Sequence, residues 1–102
     1  MPRISRRSSF VTETVARKVQ IYGRVQGVFY RQWAVNLARD LGVSGWIRNR
    51  ADGSVEAHVA GGERPVIQMI DRMREGPSAA RVDDFVVSEA EAEVVEGFSV
   101  RV

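Results

Sequence analysis

The sequence has no cysteine and a single histidine, His58. The first absence excludes disulfide scaffolds, thiolate nucleophiles and cysteine-ligated zinc together. The second argues against a transition-metal site built from protein ligands alone. No apolar run approaches the roughly 20 residues needed to span a membrane as a helix. Lysine is almost missing too, since fourteen of the fifteen basic residues are arginine. Chemistry in this chain must therefore rest on oxygen and nitrogen ligands, backbone amides and arginines.

At 102 residues the chain has room for one domain and one core. The net charge of +2 is unevenly spread. Residues 1–18 carry Arg3, Arg6, Arg7, Arg17 and Lys18 against Glu13 alone, whereas residues 19–102 hold ten arginines against twelve acids. The folded part is thus slightly acidic, which weakens a reading as a general polyanion binder. Residues 1–14 lack apolar periodicity and are rich in Ser and Arg. They read as a flexible basic tail, with a targeting segment or basic arm as the alternative. They contain no apolar core of a secretory signal. With the lack of cysteine, this points to the cytoplasm.

Order begins at residue 15. Val15, Arg17, Val19 and Ile21 alternate with Ala16, Lys18, Gln20 and Tyr22, the pattern of a strand with one buried face. After a loop, Tyr30, Trp33, Ala34, Leu37, Ala38 and Leu41 recur at helical spacing until Gly42. Residues 43–50 and 54–60 read as two strands joined through the hairpin signal Ala51-Asp52-Gly53. Gly61-Gly62 is expected to break the chain, and Pro65 suits the first turn of a second helix with the stripe Val66, Met69, Ile70 and Met73. Gly76-Pro77 ends that helix. Strands over 81–88 and 97–102 complete the set, separated by an acidic stretch. This order predicts an α+β, ferredoxin-like βαββαβ sandwich, with two helices on one face of a mainly antiparallel sheet plus a short C-terminal strand. Such a fold serves many activities and does not name one.

The informative segment is Gly23-Arg24-Val25-Gln26-Gly27-Val28-Phe29-Tyr30-Arg31. It joins a strand to a helix, so several backbone N–H groups lack intrahelical partners. Its glycines let successive amides point inward as an anion nest, and the helix dipole adds positive character there. Arg31 falls in the first helical turn, where a guanidinium can grip two phosphate oxygens. A plain tight strand-to-helix connection is the other reading. The segment lacks the Gly-Lys-Ser/Thr of a Walker loop and the spacing of a dinucleotide fingerprint.

These residues resemble a known family. GRVQGVFYR is similar to the signature of acylphosphatases, and Gly45-Trp46-Ile47-Arg48-Asn49, followed by Gly53, Val55 and Gly61, is similar to the family's second signature. The likeness extends over about residues 15–102. Tyr30 stands where Phe is more usual, Ile47 where Val is common, and Val102 where many relatives carry an aromatic residue. The resemblance implies an enzyme that hydrolyses acyl phosphates to a carboxylate and phosphate, with Arg31 and Asn49 as catalytic residues. Amides of Gln26, Gly27, Val28, Phe29 and Tyr30, with the Arg31 guanidinium, would hold the phosphoryl group, and Asn49 would orient water. The leaving carboxylate has a pKa of about 4, so no general acid is needed and the lack of a His–Asp pair is no objection. Positioning and charge stabilisation remain. No metal or other cofactor is implied, and the expected partner is a small acyl phosphate met by a monomer, with no nucleic acid and no membrane.

Three other readings fit parts of the sequence. A ferredoxin-like RNA-binding module would need an aromatic K/R-G-F/Y-G/A-F-V-x-F/Y segment, which is absent. An idle phosphate-binding domain would keep the loop and lose turnover. A unit of a larger carbamoyl-transfer protein is a third possibility, although the chain reads as free-standing. Arg24, Arg48 and Arg50 either broaden the positive mouth or are solvated; Trp33 reads as core, Trp46 as a cover for the open sheet face, His58 as facing away from the core, and Asp83 and Asp84 as exposed charge.

Overall fold

The computed structural model describes residues 14–93 and 95–102; the tail over residues 1–13 lies outside them. Seven elements follow in order: β1 (Thr14–Arg24), α1 (Tyr30–Leu41), β2 (Ser44–Asn49), β3 (Val55–Gly62), α2 (Glu63–Glu75), β4 (Arg81–Glu89) and β5 (Phe98–Val100). They form a five-stranded sheet in the order β4-β1-β3-β2-β5. All neighbours are antiparallel except β2 and β5. This is the ferredoxin-like α+β fold, and none of its helices among the described residues is long and apolar enough to cross a membrane.

Paired residues share a face of the sheet, so the register sorts the side chains. Ile21 and Asn49 both pair with Val55, while Val19 and Ile47 pair with Ala57. These residues face the helices, and Val19, Ile21, Ile47, Val55 and Ala57 are fully buried there against Ala34, Ala38, Val66, Met69 and Met73. Burying each of the larger side chains contributes roughly 1.5–3 kcal/mol. The opposite face carries Lys18, Trp46, Arg48, Glu56 and His58, again by register.

The two helices end as their sequences dictate. Gly42 takes a left-handed conformation at φ 73°, and the amides of Gly42 and Val43 bond the carbonyls of Arg39 and Ala38. The second helix starts earlier than Pro65 alone would suggest. Gly61 and Gly62 remain in β3 because β1 begins at Thr14 and continues the ladder, pairing Thr14 with Gly62 and Val15 with Gly61. The chain then enters α2 directly at Glu63. At the other end of β1 the register against β4 shifts between Tyr22 and Gly23. A Cβ at Gly23 would lie 2.2 Å from the Arg81 carbonyl oxygen, so the bulge requires glycine as the strand turns into its loop.

Candidate active site

The end of β1, the end of β2 and the start of β3 lie together, since Ile21 and Asn49 flank Val55. The loop over residues 25–29 leaves β1 at that end and leads into α1. Its two ends are pinned by burial: Val25 and Tyr30 are both sequestered in the core. The Tyr30 hydroxyl donates to the Met73 carbonyl at 2.6 Å, tying the start of α1 to the last turn of α2. Burial pushes the Tyr30 phenol well above its ordinary range, so it stays a neutral donor.

Between these anchors the backbone turns through two left-handed residues, Gly27 at φ 74° and Phe29 at φ 61°. Glycine takes this conformation at little cost, but a phenylalanine does so against roughly 1–2 kcal/mol of steric strain. Phe29 is also 84% exposed, so its ring does not repay the strain by burial. It is the N-cap of α1, makes no side-chain capping bond, and is followed by a first turn without an acidic residue. The first helical amides thus have no protein carboxylate or hydroxyl at their tip, which is the condition for receiving an anion.

Arg31 lies at this tip. It lines a cleft of about 330 Å³ with Val25, Gly27, Phe29, Tyr30 and Val100. Among the described residues no carboxylate pairs with its guanidinium. Of the loop residues expected to bind, Gly27, Phe29 and Tyr30 border this cleft, while Val28 packs against the core. The Gln26 side chain goes elsewhere: its Nε2 donates to the carbonyls of Arg50 and Ser54, each at 2.8 Å.

Asn49 closes β2 on the helix-facing side. It lines a neighbouring hollow of about 430 Å³ with Arg48, Arg50, Asp52 and Val102, not the cleft of Arg31 itself. Val100, the last residue of β5, borders the first hollow, and Val102, two residues beyond it, borders the second. The Asn49 Oδ1 is buried and has no hydrogen-bond partner among the described residues. An unpaired buried acceptor of this kind costs about 1–3 kcal/mol, and the neighbouring Arg50 Nε is likewise without a partner among the described residues.

The hairpin after Asn49 holds its own shape. Arg50 N bonds the Ser54 carbonyl at 2.8 Å, Gly53 N bonds the Arg50 carbonyl at 3.1 Å, and the Asp52 carboxylate accepts from the Ser54 amide at 2.9 Å. Bonds from the Ser54 hydroxyl and amide hold the Asp52 carboxyl below the usual carboxylate range.

Arg48 and Arg50 line the Asn49 hollow and stay partly exposed, and each is also drawn into an ion pair. Both reach Glu56 on the opposite face, with nitrogen–oxygen distances of 2.7 and 3.3 Å, and Lys18 joins them at 3.5 Å. Glu56 is only 3% exposed. Its burial works to raise the carboxyl pKa, but the Arg48 hydrogen bond and the charges of Arg48 and Lys18 outweigh it and hold the group below its ordinary value. The register of β2 against β3 sets Glu56 directly across from Arg48. Beside it Trp46 stacks on His58, and Trp46 Nε1 donates to Glu93 at 3.2 Å. His58 is buried on that face, away from the core, and Nε2 lacks a partner among the described residues.

Among the described residues no three His, Asp or Glu side chains gather in a metal-binding cluster. What the cleft does offer is a guanidinium with no carboxylate partner among the described residues, at the N-terminal end of α1, with the buried Asn49 Oδ1 lining the other hollow.

Comparison with known proteins identifies the family. A family model described as acylphosphatase matches residues 17–100. An acylphosphatase of Rhodopseudomonas palustris is 56% identical over 77 residues, covering 76% of this chain and 78% of the relative. One of Rhizorhabdus wittichii is 47% identical over 87 residues, covering 85% and 88%. The solved structure of an acylphosphatase from Coxiella burnetii superposes with a TM-score of 0.85 at 29% identity, over 92% of this chain and 99% of that one. With the two signature segments falling on the loop and on the end of β2, the chain belongs to the acylphosphatase family, hydrolases that act on acyl phosphates.

Proposed function

We propose that this protein hydrolyses acyl phosphates without a metal, holding the phosphoryl group on the loop amides and Arg31 and orienting the attacking water with Asn49. The observation that carries the reading is Arg31, whose guanidinium has no carboxylate partner among the described residues and which lines a cleft with Gly27, Phe29, Tyr30 and Gln32 and with no acidic side chain. An isolated cation beside a helix N-terminus suits a dianionic phosphoryl group, and the fork of arginine matches two of its oxygens.

Water oxygen attacks phosphorus as the bond from phosphorus to the acyl oxygen breaks. The electron pair of that bond leaves with the carboxylate, which needs no proton because its conjugate acid has a pKa of about 4. The water's proton passes to a phosphoryl oxygen, giving inorganic phosphate. Negative charge spreads over the equatorial oxygens in the transition state, where Arg31 and the amides of Gln26, Gly27, Val28, Phe29 and Tyr30 stabilise it. The Asn49 Oδ1 accepts a hydrogen bond from the water and aims its lone pair at phosphorus. No side chain has to act as general acid, which agrees with a cleft lined by no titratable group other than Tyr30 and Arg31. The reading includes a monomer acting in the cytoplasm on small acyl phosphates, binding neither nucleic acid nor membrane.

The test follows loss of benzoyl phosphate or acetyl phosphate in EDTA, with Arg31→Ala and Asn49→Ala alongside. Metal-free turnover by the wild type, lost in both folded variants, is the expected result. Turnover abolished by EDTA would overturn the metal-free mechanism. Phosphate binding without any turnover would make the protein an idle binding domain.

A further inference from the structure

Two self-contained pieces meet at the site. The loop is fixed by its own anchors, Val25 and Tyr30, and by its two left-handed residues. The hairpin is fixed by its internal bonds between Arg50, Asp52, Gly53 and Ser54. One side chain joins them. Both N–H groups of the Gln26 carboxamide are spent on hairpin carbonyls, those of Arg50 and Ser54. Arg50 directly follows Asn49, and Ser54 directly precedes Val55, the residue paired with Asn49. The carboxamide therefore grips the next rung of the hairpin, one residue towards the turn from the Asn49–Val55 pair. On the loop, Gln26 directly precedes Gly27.

We infer that Gln26 is a positioning residue whose side chain sets where Asn49 stands relative to the phosphate-holding loop, an inference that rests on the reaction proposed above. The chemistry of the bridge is specific. Two carbonyl oxygens need two donors from one short side chain, which an amide supplies and a carboxylate or thioether does not. Its effect is confined to alignment. Phosphate is held by the loop and Arg31, whereas attack requires the water on Asn49 to sit in line with the leaving group. A displacement of about 1 Å in such a geometry costs on the order of 100-fold in rate. The residue thus couples the two halves of the site through its side chain, while its backbone amide serves the loop.

The test compares wild type, Gln26→Met, Asn49→Ala and the double variant in benzoyl phosphate turnover, with inorganic phosphate as a competitive inhibitor. Gln26→Met keeps the length of the side chain and removes both donors. The expected result is a kcat lowered by roughly 10- to 100-fold, with the inhibition constant for phosphate within about threefold of wild type. In the Asn49→Ala background the same change is expected to cost less than about threefold more, since there is no longer a positioned water to misalign. Gln26→Glu, which retains polarity but lacks the donors, should behave as Gln26→Met does and serves if that variant folds poorly. Fully additive losses, or phosphate affinity falling in step with kcat, would overturn the positioning role while leaving the reaction intact. Absence of turnover in folded wild type would overturn the reaction and the positioning role with it.

Discussion

The two faces of the sheet treat charge in opposite ways. On the open face Glu56 gathers Lys18, Arg48 and Arg50, and Glu93 meets both Trp46 and Arg101. Every one of those cations has an anionic partner. On the helix-facing side, at the end of β2 and the tip of α1, Arg31 has no partner and Asn49 Oδ1 has none among the described residues. Residues 48, 49 and 50 show the contrast in charge pairing within three positions: both flanking arginines reach Glu56, although the buried Arg50 Nε, like Asn49 Oδ1, has no partner among the described residues. Polar groups that satisfy one another hold a fold together, whereas groups left unsatisfied at a cost are available to a ligand. Arginine content alone does not separate the two, and neither does pairing alone, since Arg24, Arg39, Arg64 and Arg72 also lack a carboxylate partner among the described residues; pairing together with a place at the cleft does.

The comparison is broken most sharply by removing the unpaired members. Arg31→Ala should lower kcat/KM for benzoyl phosphate by about 10³-fold or more, as for other phosphoryl-transfer arginines, with a melting temperature close to wild type. Asn49→Ala should cost roughly 10²- to 10³-fold, chiefly in kcat, which a steady-state comparison separates from KM.

On the paired face the expected loss is in stability. Glu56→Gln should destabilise the fold by about 1–3 kcal/mol, because the cations around it remain about half exposed and partly screened; chemical denaturation at neutral pH reads this directly. The sign with pH follows from the depressed carboxyl. Its stabilisation is present above the unfolded glutamate value of about 4.3 and is lost as pH falls through the lower folded value. Acidification below about pH 4.3 should therefore narrow the stability gap between wild type and Glu56→Gln, and a gap that widens instead would reverse the assignment. Smaller still, Tyr30→Phe should cost about 1 kcal/mol by removing the donor to the Met73 carbonyl. Phe29→Gly should stabilise the fold by up to about 1 kcal/mol, since it relieves the left-handed strain at a ring already in solvent.

Most of the fold was legible because its periodicities are clean. The helix stripe from Tyr30 to Leu41 and the alternation of β1 each point to one buried face, and the structure buries Val19, Ile21, Ala34, Leu37 and Ala38 as that pattern requires. The strand through Gly61-Gly62 was not legible, because glycine is a local breaker and only the partner strand starting at Thr14 keeps it paired. At the site, the loop and Arg31 could be read from local glycine spacing and helix position. The partnering of Arg48 and Arg50 could not be told from solvation without the register that sets Glu56 opposite them. The Gln26 bridge lay beyond reach altogether, since it spans 24 and 28 residues of sequence and depends on the loop and hairpin meeting at one end of the sheet.

The central claim is that the cation left unpaired at the cleft works and those paired with Glu56 hold. The most direct measurement sets Arg31→Ala against Arg48→Ala in benzoyl phosphate hydrolysis with EDTA, at a temperature where both remain folded. Arg31→Ala is expected to lose about 10³-fold or more, and Arg48→Ala to stay within about tenfold of wild type while melting earlier. Equal losses from both, or an active Arg31→Ala, would contradict the division between the two faces.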